Sequence, residues 1–123
     1  MTVKEAYERL GGNYDDMTYQ FGERMLLRLI GILLKDSSYT DICTALDRQD
    51  YDTAFRGAHT LKGIALNMCL PPLAKSASVL AEALRSRQQN DDIQPSLVGL
   101  GHAYQDMYTT FSELILTSGG GIR

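Results

Sequence analysis

The chain has 123 residues, of which 44% are hydrophobic and 22% charged, and its formal net charge at pH 7 is −3. This length fits one domain with a buried core, and the apolar content excludes a disordered chain. The slightly negative charge provides no basic field for nucleic acid, so we expect no nucleic-acid partner. Two distant cysteines, Cys43 and Cys69, indicate free thiols rather than a disulfide or zinc framework.

No part of the sequence has the pattern of a targeting or membrane segment. The N-terminal residues MTVKEAYERL are charged and helix-like, unlike a signal peptide. The most apolar run, residues 25–34, contains Arg28 and is about half as long as the roughly 20 residues that a membrane span needs. We therefore expect a cytoplasmic domain without a membrane partner.

The first half of the chain has helical spacing of its apolar residues. A short helix is predicted over residues 3–10 and is ended by two glycines. A long second helix follows, with Asp15 or Asp16 as its cap. Its apolar stripe comprises Met17, Phe21, Met25, Leu29 and Ile32, widened by Leu26, Ile30 and Leu33. The stripe is broader than one core contact needs, so the first helix should cover part of it. A break near residues 35–38 precedes further apolar spacing up to about residue 48.

Three more helices are predicted in the second half. The first of them spans residues 51–69, is capped by Asp50 and is called the central predicted helix below. Its core stripe is Ala54, Ala58, Leu61, Ala65 and Met68. Two prolines end it and begin the next helix, since proline is tolerated in a first turn. The stripe of this next helix is Leu73, Ala77, Leu80, Ala81 and Leu84. After a polar loop at residues 86–92, the last helix has the stripe Leu97, Leu100, Tyr104, Met107, Phe111 and Leu114.

These patterns predict an all-α fold, an antiparallel up-down four-helix bundle with a short N-terminal capping helix. No segment of useful length alternates apolar and polar residues as a strand would. Short connections between long helices favour antiparallel neighbours. The domain is expected over residues 1–117, with a flexible Gly-rich tail at 118–123. We expect a monomer, although the broad stripe of the second helix could support a dimer.

One flank of the central predicted helix carries polar residues around a histidine. His59 lies off the centre of the core stripe, on the flank that also has Arg56, Gly63 and Asn67, and Lys62 follows it at i+3. The imidazole is therefore predicted to be exposed, beside an ammonium group and a position without a side chain. Neutral imidazole is a nucleophile, and a lysine can offset charge on phosphoryl oxygens. A glycine costs a helix about 1 kcal/mol, and here it would leave clearance for another protein's active site.

The two histidines also have other interpretations. A His-x-x-Lys-Gly motif by itself also fits a surface histidine beside a solvated lysine. His102 has no lysine or glycine at the corresponding positions and is interpreted as a polar-flank or partly packed residue. A metal or haem site is disfavoured because the core stripes lack inward glutamate and histidine, and Met17 and Met25 indicate core filling. No Gly-rich phosphate loop or oxyanion site is recognisable, so we expect no enzyme.

The stretch AHTLKGIALNMCLPPLAKSASVLAEAL resembles the signature of histidine-containing phosphotransfer (HPt) domains. The residues that match the family pattern are Ala58, His59, Thr60, Leu61, Lys62, Gly63, Ala65, Asn67 and Met68. The preceding ALDRQDYDTAFRGAH resembles the family's helix end, acidic turn and helix start. The similarity extends over nearly the whole chain, including the short leading helix and the long final one.

The resemblance implies that His59 is the phospho-acceptor of a multi-step two-component phosphorelay, in a carrier rather than an enzyme. Lys62 would lie near the phosphoryl group and Gly63 would admit the partner, with Arg56 and Asn67 as supporting residues. The implied partners are receiver domains of response regulators and of a hybrid histidine kinase. These receivers would hold the Mg²⁺, so no cofactor is expected on this chain. Two alternatives stay open: a helical docking adaptor that carries no phosphate, and a metal- or haem-binding bundle.

Two positions depart from the family pattern. Ile64 stands where the family usually has a small or polar residue, and it could extend a partner-facing apolar patch or be buried against another helix. Cys69 replaces a frequent glycine and is interpreted as a small core hydrophobe. Neither departure removes the acceptor, but both leave the docking surface and the identity of the receiver open.

Overall fold

The computed structural model describes residues 1–118, which fold as a helical bundle. Six helices follow one another along the chain: α1 (Val3–Arg9), α2 (Tyr14–Leu34), α3 (Ser38–Asp47), α4 (Tyr51–Asn67), α5 (Pro71–Ala83) and α6 (Ile93–Ser118). No strand is present in this part of the chain. The predicted all-α bundle with a short N-terminal helix is confirmed. None of the helices within residues 1–118 is both long enough and apolar enough to span a membrane.

Helix α4 occupies the middle of a series of neighbouring helices. Helices α3, α4 and α5 pack in chain order, and α6 packs against α5. Helix α6 also meets α3, where the rings of Tyr39 and Tyr104 stack with their centroids 4.5 Å apart. Helix α2 packs along α6, and α1 contacts both of these helices. The two faces of α4 that touch α3 and α5 are thus covered, and its remaining face is turned outward.

Helix α2 bends at Gly22, and the bend changes which residues face the core. Gly22 has φ 76° and ψ 159°, a conformation that glycine adopts without the steric cost of a Cβ. The buried positions of α2 are Met17, Leu26, Ile30 and Leu33, and its exposed apolar residues are Tyr19, Phe21, Met25 and Ile32. The prediction is therefore confirmed for the four buried residues and wrong for Phe21, Met25 and Ile32. Gly22 interrupts the helical period, so that the residues after it face the core with a different phase.

The helix caps agree with the prediction at α4 and differ from it at α2. The carboxylate of Asp50 accepts a hydrogen bond from the backbone N–H of Thr53 at 3.1 Å, as a cap of α4 should. At α2 the cap is Asn13, whose side-chain oxygen accepts from the backbone N–H of Asp16 at 3.0 Å. The predicted cap is Asp15 or Asp16, but both residues lie inside the first turn. Their negative charges interact favourably there with the positive end of the helix dipole.

The boundaries of the elements lie close to the predicted ones. Residues 35–37 separate α2 from α3, at the predicted break. Helix α4 ends at Asn67, two residues before the predicted end, and the next helix starts at Pro71 as predicted. Helix α6 continues through Ser118, one residue into the predicted tail, and residues 119–123 of that tail lie outside the described part of the chain.

The core stripes predicted for the second half of the chain are largely confirmed. Helix α4 and the residue after it bury Ala54, Ala58, Leu61, Ala65 and Met68. Helix α5 and the residue after it bury Leu73, Ala77, Leu80, Ala81 and Leu84. Helix α6 buries Leu100, Met107, Phe111 and Leu114, whereas Leu97 and Tyr104 are half-buried. A single apolar core therefore holds the last four helices together.

The turn after α4 forms a Schellman motif. The backbone N–H of Leu70 donates to the carbonyl of Ala65 at 2.9 Å, and that of Cys69 donates to the carbonyl of Leu66 at 3.1 Å. Cys69 has φ 54°, in the left-handed region that this motif requires and that glycine adopts most easily. The motif gives a physical reason why glycine would be the least strained residue at this position. Half-buried Cys69 packs against the core, as predicted.

The N-terminal segment anchors this turn. The buried phenol of Tyr7 donates to the carbonyl of Met68 at 2.8 Å, and the N–H of Asn13 donates to the carbonyl of Cys69 at 2.9 Å. Gly12 passes so close that a Cβ there would lie 2.9 Å from the Cys69 carbonyl oxygen. Burial raises the pKa of the Tyr7 phenol, which keeps its proton available for the hydrogen bond. The segment around α1 thus satisfies carbonyl groups that the end of α4 leaves open.

We expect Cys69→Gly to have a free energy of unfolding about 1 kcal/mol higher than Cys69→Ala. Both substitutions remove the thiol, but only glycine occupies the left-handed conformation without a Cβ clash. Urea denaturation followed by circular dichroism measures the difference between the two variants. Equal stability of the two would contradict a strained backbone at this residue.

Candidate functional site

His59 lies in the middle of α4 with its side chain exposed, as predicted. Its neighbours Ala58 and Leu61 are fully buried, and the advance of 100° per residue turns position 59 away from them. Within residues 1–118 the imidazole has a ring contact but no hydrogen-bond partner. Neither ring nitrogen is therefore committed to an internal partner, and both can meet a group from outside.

Gly63, one turn after His59, borders open space. Among residues 1–118, a Cβ built at this position would contact nothing within 4 Å beyond the local helix backbone. Gly57 on the same helix differs, because a Cβ there would lie 2.8 Å from Cγ1 of Ile42 on α3. Helix packing therefore requires glycine at 57, but no contact in the described structure requires it at 63. The clearance beside His59 is maintained at a cost to helix stability of about 1 kcal/mol relative to alanine.

Lys62 lies one turn from His59, half-buried, on the side of α4 that approaches α5. Its charge acts on Glu82 of α5, which also forms an ion pair with Arg85. The hydrogen bond and charge of Arg85 hold the pKa of Glu82 below its usual value, and the charge of Lys62 acts in the same direction. Glu82 is thus a carboxylate that interacts with two cations, so these three side chains together carry a net positive charge.

Phe55 stacks on the imidazole, a contact that the sequence reasoning missed. The ring centroids of Phe55 and His59 are 6.3 Å apart and the ring planes differ by 11°. Phe55 is half-buried and packs against the core. The i, i+4 spacing of the two rings was the available signal, because residues at this spacing are neighbours on a helix surface.

Arg56 is directed toward the start of α4. Its guanidinium contacts the carboxylate of Asp52 at 3.0 Å, and Asp52 also contacts Nε of Arg87 at 3.5 Å. The guanidinium carbon of Arg87 lies 3.8 Å from the ring centroid of Phe55. The predicted supporting residue Arg56 therefore belongs to a charged group one turn before His59, joined there by Arg87, which the sequence reasoning did not single out.

The end of α4 is farther from the histidine. Asn67 is exposed and is the last residue of α4, which places it about 12 Å beyond His59 along the helix axis. Leu66, which the sequence reasoning did not single out, is 56% exposed and lies two turns after His59, on the same side of the helix as the imidazole. Ile64 is half-buried against the core, so its packing follows the second of the two predicted alternatives. The helix thus brings Lys62 and Gly63 beside His59, but it keeps Asn67 apart.

The second histidine lies elsewhere. His102 is exposed on α6, in agreement with the polar-flank interpretation. Within residues 1–118, no three side chains of histidine, cysteine, aspartate or glutamate are grouped as metal ligands.

A protein-family model described as "Hpt domain" matches residues 36–113, which is more than half of the chain. The match begins just before α3 and ends within α6, so it includes all of α4 and the surroundings of His59. Helices α1 and α2 lie outside it, and the matched region is thus narrower than the resemblance indicated. No curated protein and no solved structure matches the chain significantly.

We expect Gly63→Ala to raise the free energy of unfolding by about 1 kcal/mol, because alanine is the better helix former and its methyl group meets open space. Gly57→Ala is the matched control on the same helix. It should lower stability, because its methyl group would collide with Ile42. Urea midpoints of both variants check the prediction, and a destabilised Gly63→Ala protein would contradict it.

Proposed function

Because the chain belongs to the Hpt domain family, we propose that it is a phosphotransfer carrier that takes up a phosphoryl group on His59. Hpt domains take part in phosphotransfer within phosphorelay signalling. The observation that carries the assignment to His59 is an exposed imidazole at mid-helix beside Gly63, a glycine that no contact among residues 1–118 requires. A carrier needs such an arrangement, because its acceptor must enter the active site of another protein.

The transfer would proceed between an aspartyl phosphate and the imidazole. The unprotonated ring nitrogen supplies an electron pair to phosphorus, a nitrogen–phosphorus bond forms, and the acyl phosphate oxygen–phosphorus bond breaks. The electron pair of the broken bond leaves with the aspartate carboxylate, and the other ring nitrogen keeps its proton during the transfer. Neutral histidine can supply the nucleophile near neutral pH. The reverse sequence of bond changes passes the phosphoryl group to the next aspartate.

Lys62 would stabilise charge on the phosphoryl oxygens. Phosphoryl transfer depends mainly on positioning and on electrostatic stabilisation, and a lysine one turn from the acceptor can reach the equatorial oxygens. The neighbouring Arg85 already occupies Glu82, which leaves the ammonium group of Lys62 available for another anion. Arg56 and Asn67 would contribute to the surface that meets the partner rather than to the transfer.

The partners would be receiver domains of response regulators and of a hybrid histidine kinase. Each receiver would provide the aspartate and the Mg²⁺, so this chain would act as a carrier and not as an enzyme. The compartment for such a relay would be the cytoplasm. The exposed Leu66, on the His59 side of α4, would offer the receiver an apolar contact beside the acceptor.

We expect His59→Gln to abolish labelling when the protein is incubated with a receiver that carries ³²P-phosphate. Wild-type protein should gain label that is acid-labile and alkali-stable, as a phosphoramidate is. Glutamine keeps the polarity and size of the side chain but has no nucleophilic nitrogen. Label that persists in His59→Gln would refute the assignment. A wild-type protein that binds receivers with an affinity unaffected by His59→Gln, and never gains label, would be a docking adaptor instead.

We expect Gly63→Leu to stop transfer while the bundle stays folded. A leucine side chain would fill the clearance beside His59 and exclude the receiver's active site, and its Cβ would meet open space within residues 1–118. Transfer should fall by a factor of about 100 or more, as is typical when reacting groups are held apart. Circular dichroism monitors the fold, and Gly63→Ala serves as the smaller control. Wild-type transfer in Gly63→Leu would exclude the clearance role.

A further inference from the structure

The loop between α5 and α6, residues 84–92, is folded onto the first half of α4. The side-chain amide of Asn90 donates to the carbonyl of Ala83 at 2.8 Å, which ties the loop to the end of α5. The phenol of Tyr51, in the first turn of α4, donates to the side-chain oxygen of Gln89 at 3.1 Å. The loop is therefore attached both at its base and to the helix that carries His59.

Arg87 extends from this loop and is held by three different groups. Its backbone adopts φ 55°, in the left-handed region that arginine rarely occupies. Its guanidinium donates to the carbonyl of Arg85 at 2.7 Å, contacts the Asp52 carboxylate through Nε at 3.5 Å, and covers the ring of Phe55 at 3.8 Å. A planar guanidinium can stack flat on an aromatic face while its edge contacts a carboxylate, whereas an ammonium group has no plane to stack.

Phe55 links this guanidinium to the acceptor. It lies one turn after Asp52 and one turn before His59 on the outer side of α4, and its ring is nearly parallel to the imidazole. The ring also packs against the core, so it is supported from below. The loop thus acts on the imidazole through a single aromatic ring that has little freedom to move.

We infer that Phe55 and Arg87 are positioning residues for phosphotransfer, and that the α5–α6 loop is thereby part of the functional site. The inference rests on the proposed function of His59. Phe55 restricts the imidazole to the ring orientation that stacks on it, and Arg87 keeps Phe55 in the orientation that makes this stack possible. Arg87 acts through Phe55, and not as a charge on the phosphoryl group.

The stack on Phe55 affects transfer by limiting the orientations of the His59 imidazole. An exposed histidine on a helix can occupy several staggered side-chain conformations, and only some of them direct a ring nitrogen outward along the path to phosphorus. A reaction between two proteins is fast only when the reacting atoms are held in line at close distance. Stacking on Phe55 lowers the number of conformations before the receiver arrives, so fewer encounters are unproductive.

The first experiment measures the rate of transfer from a phosphorylated receiver at saturating receiver concentration. Phe55→Leu, which keeps an apolar side chain but removes the ring, should slow transfer about tenfold. Phe55→Tyr, which restores the ring, should transfer within about twofold of the wild-type rate. Arg87→Lys keeps the charge but loses the planar stack, so it should be as slow as Arg87→Ala. Arg24→Ala, on α2, controls for the loss of one positive charge.

The second experiment needs no receiver and follows the His59 ring protons by NMR at fixed pH. The ring current of Phe55 should shift these resonances away from those of a free imidazole. Phe55→Leu should remove the shift, Phe55→Tyr should retain it, and Arg87→Ala and Arg87→Lys should both reduce it. Circular dichroism of each variant verifies that the bundle remains folded.

The two experiments separate failure of this inference from failure of the proposed function. If wild-type protein gains no label from any receiver, the function of His59 is refuted, and the NMR result still decides whether the stack exists. If wild-type protein is labelled and Phe55→Leu transfers at the wild-type rate, the positioning role is refuted while the function stands. Wild-type transfer by Arg87→Lys would likewise overturn the role of Arg87, because it would assign to charge what we assign to stacking.

Discussion

Helix α4 is held between α3 and α5 by a face made mostly of small side chains. Ala54, Ala58 and Ala65 are completely buried there, and Gly57 lets α3 approach until Ile42 occupies the space that a Cβ would need. Packing this close leaves the helix little freedom to rotate about its axis, since interiors are as dense as organic crystals. The outward face of α4 is therefore presented in one orientation, and every feature of the site depends on this constraint.

The N-terminal segment completes the support of α4 from its far end, although it lies outside the region that matches the family model. Tyr7 and Asn13 donate hydrogen bonds to the carbonyls of Met68 and Cys69, where the helix has ended. Without these donors, backbone groups at a partly buried turn would lose partners, which costs about 1–3 kcal/mol for each buried group. The short helix α1 is thus a structural element of the turn as well as a cover for α2 and α6.

Two carboxylates on α4 and α5 each interact with two cations. Asp52 contacts Arg56 and Arg87, and Glu82 pairs with Arg85 and also feels the charge of Lys62. Each carboxylate lies between two of the cations, so that neither side of the site has an excess of negative charge. The ammonium group of Lys62, one turn from His59, would favour an anionic group there, and this effect is screened by salt.

The sequence by itself determined the helices of the second half, the core face of α4 and the exposure of His59, because these follow from spacing within one helix. Only the tertiary structure decided the orientation of α2, since the conformation of Gly22 resets the helical period and no pattern of apolar residues reveals it. It also decided the surroundings of the acceptor. Phe55 on α4 meets Arg87 from the loop that follows the next helix, α5. Contacts between residues so distant in the chain depend on how the helices pack, which local periodicity does not encode.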